Sequence, residues 1–138
     1  MRVEKDGFEI DDDPARLDLE AVVRALKTTY WAEHLDDERI HASFRNAHPF
    51  GLYGPDGAQI GCARVVTDRV RFAWLSDLYI DETARGRGLG RWFAETILGH
   101  PDFAGIDRWL LATRDAHALY QKFGFVPADP ARFMVLSR

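Results

Sequence analysis

The sequence predicts one α/β domain over residues 1–138, with helices packed against a mixed sheet. Its length of 138 residues and its hydrophobic fraction of 46% suit a single packed core. Segments with strand-like and helix-like patterns alternate along the chain, without repeats, low-complexity tracts or a linker. A strand, a helix and a second strand follow each other around residue 90, which predicts a βαβ unit with parallel strands.

The predicted elements follow the order β-α-α-β-β-β-α-β-α-β-β. A strand at 8–10 precedes two helices, near 19–26 and 36–46, whose apolar residues recur at helical spacing. Asp56-Gly57 supplies the positive φ of a tight turn and predicts a hairpin, the start of an antiparallel meander. The remaining strands are expected at 50–53, 59–66, 72–80, 109–112, 125–126 and 133–136, with helices from Gly88 to near Gly99 and from Asp115 to Gly124.

Composition excludes several classes of function. The net charge of −4 and the pI near 5.7 argue against a general nucleic-acid binder. No segment has the apolar length of a membrane span or the apolar core of a signal peptide, so we expect a cytoplasmic protein without a membrane partner. The only cysteine, Cys62, lies in an apolar run and is expected as a buried thiol. His34, His41 and His48 are regularly spaced, but Pro49 breaks any helix that would align them, and no metal site is predicted.

The residues from Arg85 to Arg91 form the most informative segment. They read as a tight turn between a strand and a helix, an arrangement that presents unpaired backbone N–H groups to a phosphate. Arg85, Arg87 and Arg91 add positive charge, although a solvated turn would have the same composition. The segment lacks the Gly-Lys-Ser/Thr of a mononucleotide loop, and Arg91 stands where the dinucleotide pattern needs glycine.

The same segment resembles the acyl-CoA signature of the GNAT superfamily of N-acetyltransferases, Gln/Arg-x-x-Gly-x-Gly/Ala, through Arg85, Gly88 and Gly90. The preceding strand end at 78–81 is similar to the strand that the family places there. A second segment, Ala116-His117-Ala118-Leu119-Tyr120-Gln121-Lys122-Phe123-Gly124-Phe125, is similar to the family's Ala-x-x-x-Tyr-x-Lys-x-Gly-Phe. The two motifs agree in order and spacing, and the resemblance is sharp from residue 75 to 126.

The resemblance implies acetyl-CoA as the co-substrate. Backbone N–H groups from Arg87 to Gly90 would bind its pyrophosphate, and the backbones of Leu78 and Ile80 would pair with the pantetheine arm. Thr113 stands where relatives often have asparagine, a side chain that holds this arm. The same resemblance places Tyr79, Gly86 and Leu89 beside the bound co-substrate.

For catalysis, the resemblance implies Tyr120 as the general acid for the departing thiol, whereas its spacing alone fits a packed core tyrosine. Many relatives have a glutamate base where this chain has Ser76, so the base stays unassigned. Asp77 is the nearest carboxylate and a candidate for orienting the amine, with Ser76 as a second candidate. Strand alternation puts these two on opposite faces unless a bulge redirects one of them.

The acceptor is predicted to be the primary amine of a small molecule. Tyr30, Trp31, Trp74 and Asp77 are the candidate substrate-binding residues, because aromatic walls suit an apolar or cationic amine. Two alternatives stay open: acetylation of a protein or peptide amine, and a catalytically inactive CoA-binding sensor. The predicted terminal strand at 133–136 is a candidate for pairing with a second copy of the chain.

Overall fold

A computed structural model describes residues 1–138 and shows an α/β domain built on one six-stranded sheet, as predicted. The strands, in their order across the sheet, are β1 (Arg2–Lys5), β2 (Phe8–Asp11), β3 (His48–Tyr53), β4 (Gln59–Thr67), β5 (Phe72–Ile80) and β6 (Arg108–Leu110). The helices are α1 (Leu19–Leu26), α2 (Asp37–Arg45), α3 (Leu89–Leu98) and α4 (His117–Gln121), with short 3₁₀ turns at Glu82–Ala84 and Pro101–Phe103. Only β5 and β6 pair in parallel, which confirms the predicted βαβ unit.

Helices cover both faces of the sheet. On one face, Phe93 of α3 packs with Val65 of β4 in the larger core cluster. On the other, Val22 of α1 and Phe44 of α2 pack with Cys62 of β4. Because successive strand residues point to opposite faces, β4 is buried on both sides. No helix is long and apolar enough to cross a membrane.

Aspartates begin the first two helices. The Asp18 carboxylate accepts hydrogen bonds from the backbone N–H groups of Glu20 and Ala21, and the Asp36 carboxylate accepts one from Arg39 N–H. Each cap satisfies donors that the first helical turn leaves unpaired. The predicted positions of α1 and α2 are therefore confirmed to within a residue at each end.

The ends of the chain differ from the prediction. An additional strand, β1, forms a hairpin with β2 through Asp6 and Gly7, both at positive φ. Its side chains are mostly exposed, so it has no apolar periodicity that the sequence could show. The strands predicted at 125–126 and 133–136 do not form, although both segments are apolar, because neither is paired with a neighbouring strand.

The segment before α4 also differs in detail. The strand predicted at 109–112 ends at Leu110, and the helix begins at His117 rather than at Asp115. The Thr113 hydroxyl oxygen accepts hydrogen bonds from the N–H groups of Asp115 and Ala116, which forms a turn ahead of the helix, and no side chain caps the helix as was expected of Asp115. Gly124 follows the helix at φ +91, as its predicted closing role requires.

Candidate active site

The cleft of the molecule opens where β5 and β6 separate. Their pairing covers three residues of each strand and ends at Trp74 and Leu110. Beyond that point the edge of β5 has no strand beside it, and residues 111–113 diverge toward α4. Two cavities border this divergence at the carboxyl ends of the two parallel strands, where α/β sheets bind ligands.

A bulge in β5 shapes the wall of this cleft. Asp77 has a positive φ of 54°, and between Cys62 and Arg64 the register with β4 shifts by one residue. Both Ser76 and Asp77 consequently contact the same side chain, since Arg64 Nη2 donates to Ser76 Oγ at 3.2 Å and Arg64 Nε donates to Asp77 Oδ2 at 2.5 Å. The bulge thus cancels the alternation that would have separated the two residues.

The loop before α3 presents a row of free donors. The backbone N–H groups of residues 86–91 donate to no acceptor within the protein. Gly86 and Gly88 have φ of +80° and +75°, and a Cβ built on either would meet nothing within 4 Å. The loop therefore has both the donors and the open space that a phosphate at a helix N-terminus requires.

The arginines of this loop have different roles. Arg85 folds back, and its Nε donates to the Ile80 carbonyl at 2.9 Å, so its side chain braces the end of β5. Arg87 and Arg91 are exposed, and none of the three arginines forms a salt bridge. Their uncompensated charge favours an anion at the loop.

The loop between α1 and α2 crosses the cleft. Arg114 N–H donates to the Tyr30 hydroxyl at 3.1 Å, and its guanidinium lies 3.7 Å from the centre of the Tyr30 ring. Trp31 Nε1 donates to Asp77 Oδ1 at 2.8 Å on the opposite wall. Tyr30 and Trp31 therefore connect the β6–α4 side of the cleft to β5, and both residues border the two cavities. We call this pair the Tyr30–Trp31 strap.

Asp77 is the anchor of this arrangement. Its side chain is only 7% exposed, and each carboxylate oxygen already accepts one hydrogen bond, from Trp31 and from Arg64. The Arg64 guanidinium compensates its charge, as burial requires. The sequence-predicted Asp77 thus lies in the cleft, where it holds Trp31 in place.

Tyr120 enters the cleft from α4, on the α3 side of the sheet. Burial raises the pKa of Tyr120 to about 12, so the phenol stays protonated at neutral pH. Its ring lies 5.8 Å from that of Phe125, in an edge-to-face arrangement. The hydroxyl has no hydrogen-bond partner in the protein and remains available to a ligand.

Two cavities meet at the Tyr30–Trp31 strap. The first, of about 680 Å³, contains most of the predicted co-substrate residues, including Leu78, Tyr79, Ile80, Arg85, Gly86, Gly88, Leu89 and Gly90. The second, of about 280 Å³, contains Trp74, Ser76, Asp77, Thr113 and Tyr120. All predicted catalytic and substrate-binding residues therefore converge on the second cavity, whereas the side chains of Arg87 and Arg91 border neither.

Three residues of the site were missed by sequence reasoning. Arg64 and Arg114 hold the walls, and Asp115 borders both cavities with a carboxylate that has no hydrogen-bond or ion-pair partner. Arg64 could have been found from its place in β4, because that strand pairs with β5 in the predicted meander. Arg114 and Asp115 follow a strand end within a loop, which carries no periodic signal.

A second polar cluster lies elsewhere, around Asp12. His48 Nε2 and His100 Nε2 lie 2.7 and 2.8 Å from Asp12 Oδ2, in a geometry that resembles a metal site. However, His100 Nδ1 accepts from Asp102 N–H, and His48 Nδ1 faces the Arg69 guanidinium, which can only donate. Both Nε2 atoms therefore carry the proton and donate to Asp12, which makes the cluster a hydrogen-bonded one.

Burial alone would raise the pKa of Asp12. Hydrogen bonds from the Met1 α-amino group, His48 and His100 outweigh it and lower that pKa to about 2. At Cys62, burial raises the pKa of the thiol, in agreement with the predicted inert cysteine.

Separating parallel strands, a bulge in β5 and a glycine loop at a helix start together characterise the cleft. Residues 17–125 match the Acetyltransferase (GNAT) family. A protein of Gibberella zeae that carries an acetyltransferase assignment is 31% identical, over 82% of this chain and 75% of its own. The chain therefore belongs to the GNAT acetyltransferase family, which assigns it acetyl-CoA as the co-substrate.

Solved structures show the same fold. A GNAT-family protein of Xanthomonas campestris superposes with a TM-score of 0.89 at 32% identity, covering 95% of this chain and 93% of its own. A GNAT acetyltransferase of Elizabethkingia anophelis, solved with acetyl-CoA bound, has a TM-score of 0.71 at 16% identity and covers 91% of this chain and 80% of its own. The predicted family and fold class are confirmed.

Proposed function

We propose that this acetyltransferase transfers the acetyl group of acetyl-CoA to the primary amine of a small molecule by direct attack. The observation that carries the proposal is the convergence of Tyr120, Ser76 and Asp77 on one small cavity that adjoins the free N–H groups of the α3 loop. A donor site and an acceptor site joined at a common wall are what direct transfer needs, since the reacting atoms must approach within about 3–3.5 Å.

The donor side fits acetyl-CoA. The free N–H groups at 86–91 and the space beside Gly86 and Gly88 suit its pyrophosphate. The unpaired edge of β5, where Leu78 and Ile80 lie, suits the amide groups of the pantetheine arm as an added strand. The Thr113 hydroxyl accepts from backbone N–H groups, but its own hydrogen remains free to donate to that arm.

The acceptor side supports a small amine over a polypeptide. The Tyr30–Trp31 strap is tied to both walls, and the cavity behind it measures about 280 Å³. Trp31 and Trp74 provide aromatic surface at this cavity, which suits an apolar or cationic amine. A peptide would need an open groove, and the anchored strap limits its access.

The reaction forms a C–N bond and breaks the thioester C–S bond, while one proton leaves the amine and one reaches the sulfur. The Tyr120 hydroxyl stays protonated because burial raises its pKa to about 12. The pKa of an ordinary thiol is about 8.5, so the phenol holds its proton more tightly than the thiol does. The main contribution of the Tyr120 hydroxyl is therefore a hydrogen bond that stabilises the thiolate as it departs. The proton that the nitrogen loses once the C–N bond has formed then protonates this thiolate to give the CoA thiol.

Two carboxylates border the acceptor cavity and could orient the amine. Asp77 has one hydrogen bond on each oxygen and acts chiefly by holding Trp31 and Arg64, whereas the Asp115 carboxylate has no partner. The Ser76 hydroxyl accepts from Arg64 and can accept a second hydrogen bond from a water, whose oxygen stays free to take the extra proton of the ammonium form of the amine before attack. A cytoplasmic location, with access to acetyl-CoA, stays a prediction.

The test is thiol release from acetyl-CoA in the presence of a panel of amines. The panel should contain apolar, cationic and carboxylate-bearing small amines and, separately, peptides with a free N-terminus or a lysine. We expect turnover with at least one small amine and little with peptides. Preferred peptide turnover would favour the protein-amine alternative, and tight CoA binding without turnover on any acceptor would favour the sensor.

A further inference from the structure

A third cavity lies on the α2 side of the cleft wall. It measures about 420 Å³ and is lined by residues of α1, α2, β4 and β5 and of the loop between the two helices. Three of its lining residues, Trp31, Ser76 and Asp77, also line the acceptor cavity. The two cavities are therefore neighbours, and these three residues form the wall between them. We call the third one the α2-side cavity.

Arg39 brings an uncompensated charge to the α2-side cavity. Its guanidinium forms no hydrogen bond and no salt bridge, whereas Arg45 of the same helix pairs with Glu38. The other charged residues of the lining are Arg64 and Asp77, and these two are paired with each other. The lining therefore carries one net positive charge, which favours an anion.

Arg64 and Ser76 add free donors at the shared wall. Arg64 donates through Nε to Asp77 and through Nη2 to Ser76, while its Nη1 has no acceptor in the protein. The Ser76 oxygen accepts from Arg64, so its own hydrogen is available to a ligand. The Arg64 side chain is only 20% exposed, and a charge-assisted hydrogen bond is stronger in such a partly desolvated place than in water.

The rest of the α2-side cavity is mainly apolar. Leu26, Leu35 and Ile40 contribute to its lining. An apolar cavity of a few hundred Å³ with a small number of polar groups at one wall is typical of a small-molecule site. Its single net charge matches a carboxylate, whereas a phosphate monoester would bring about two negative charges at neutral pH.

We propose that the acceptor carries a carboxylate, which the α2-side cavity binds between Arg39 and Arg64. This substrate class, amines with a carboxylate in the same molecule, rests on the proposed function. With the carboxylate bound there, the amine reaches the wall shared with the acceptor cavity. Trp31 is the most exposed residue of that wall, at 37%, so its side chain can turn aside at the cost of its hydrogen bond to Asp77 and admit the amine.

The first test compares acceptors by thiol release from acetyl-CoA. Each probe is an amino acid with an aromatic or a linear alkyl body, offered beside its amide and beside the amine that lacks the carboxyl group. We expect kcat/KM to be about tenfold or more higher for the amino acids, because the two analogues leave the arginines without an anion. Equal or better turnover of the amides would overturn the proposal.

The second test assigns the preference to Arg39. Arg39→Gln should raise KM for the amino acids about tenfold, while KM for the amides and Kd for acetyl-CoA stay at their wild-type values. The matched control is Arg24→Gln, which removes an exposed arginine of α1 that borders none of the three cavities and should leave all three quantities unchanged. An unchanged KM for the amino acids in Arg39→Gln would contradict the carboxylate site.

Equilibrium binding separates this proposal from the proposed function. Calorimetry with the CoA-saturated protein measures Kd for each amino acid and its amide without turnover. Should the amino acids bind more tightly than the amides, with the difference lost in Arg39→Gln, but no probe be acetylated, the carboxylate site stands and the proposed function fails. Acetylation of amines with equal Kd for amino acids and amides would leave the proposed function standing and overturn the carboxylate site.

Discussion

At the scale of single residues, Tyr120 shows how burial sets the chemical state of the side chain proposed as the hydrogen-bond donor to the thiolate. Desolvation raises its pKa to about 12, and its hydroxyl has no partner within the protein, so its hydrogen is reserved for a ligand. Tyr53 has the same chemical state for the same main reason, a pKa raised to about 12 by burial and an unpartnered hydroxyl. Only Tyr120 borders the cleft, so position and not chemistry distinguishes the two.

We expect Tyr120→Phe to lower kcat by about 100-fold, because the departing thiolate loses its hydrogen-bond donor. The midpoint of urea unfolding should change little, since the lost hydroxyl has no partner in the free protein. Steady-state thiol release measures the first and fluorescence the second. Tyr53→Phe is the matched control and should keep wild-type turnover. Equal kcat for the wild type and Tyr120→Phe would remove Tyr120 from the reaction.

At the scale of elements, the loop before α3 requires glycine at a position where the backbone is left-handed and borders open space. Gly88 is left-handed at the start of α3, and nothing lies within 4 Å of where a Cβ would be. Gly57, in the hairpin between β3 and β4, has a similar φ of +81° and equally open space. A side chain would strain both backbones alike, but only at Gly88 would it enter the expected phosphate site.

Gly88→Ala is therefore expected to weaken acetyl-CoA binding about tenfold or more, measured as Kd by calorimetry. Gly57→Ala should cost a similar amount of stability, on the order of 1 kcal/mol, without a change in Kd. Comparing the pair separates backbone strain from occupation of the site. Should both variants bind acetyl-CoA equally well, the glycine loop would not be the pyrophosphate site.

At the scale of the whole molecule, the Asp12 cluster joins distant parts of the chain. Asp12 follows β2, His48 begins β3 and His100 follows α3, yet the three meet through two hydrogen bonds to one carboxylate. The folded state lowers the pKa of Asp12 to about 2 from a usual 3.8. Because that pKa is depressed, its stabilisation is complete above pH 4 and is lost as the pH falls toward 2.

We expect Asp12→Asn to lower the free energy of unfolding at pH 7 by about 1–2 kcal/mol, with partial screening taken into account. The difference from wild type should shrink as the pH falls from 4 to 2, where the wild-type carboxylate becomes protonated. Urea unfolding of both proteins at pH 7, 5 and 3 measures this difference in the free energy of unfolding. Asp107→Asn removes the same charge at an exposed position and is the matched control. A constant difference at all three pH values would contradict the assignment.

Local physics made much of the fold predictable from the sequence. Asp18 and Asp36 mark helix starts by their caps, and Asp56-Gly57 marks a hairpin by the φ that only such residues readily adopt. The terminal segments were predicted less well. Charged β1 has no apolar period, and residues 133–136 have strand propensity without a partner in their own chain.

The sequence by itself determined the family of this protein, because the loop from Arg85 to Arg91 and the later Tyr120 motif that resemble it each lie within a short segment. Only the tertiary structure decided which residues line the second cavity. The β5 bulge brings Ser76 and Asp77 to the same Arg64. Trp31 is hydrogen-bonded to Asp77, which lies 46 positions further along the chain, and Tyr30 to Arg114, which lies 84 positions further along. Such contacts depend on how whole elements pack, and no local pattern of residues encodes them.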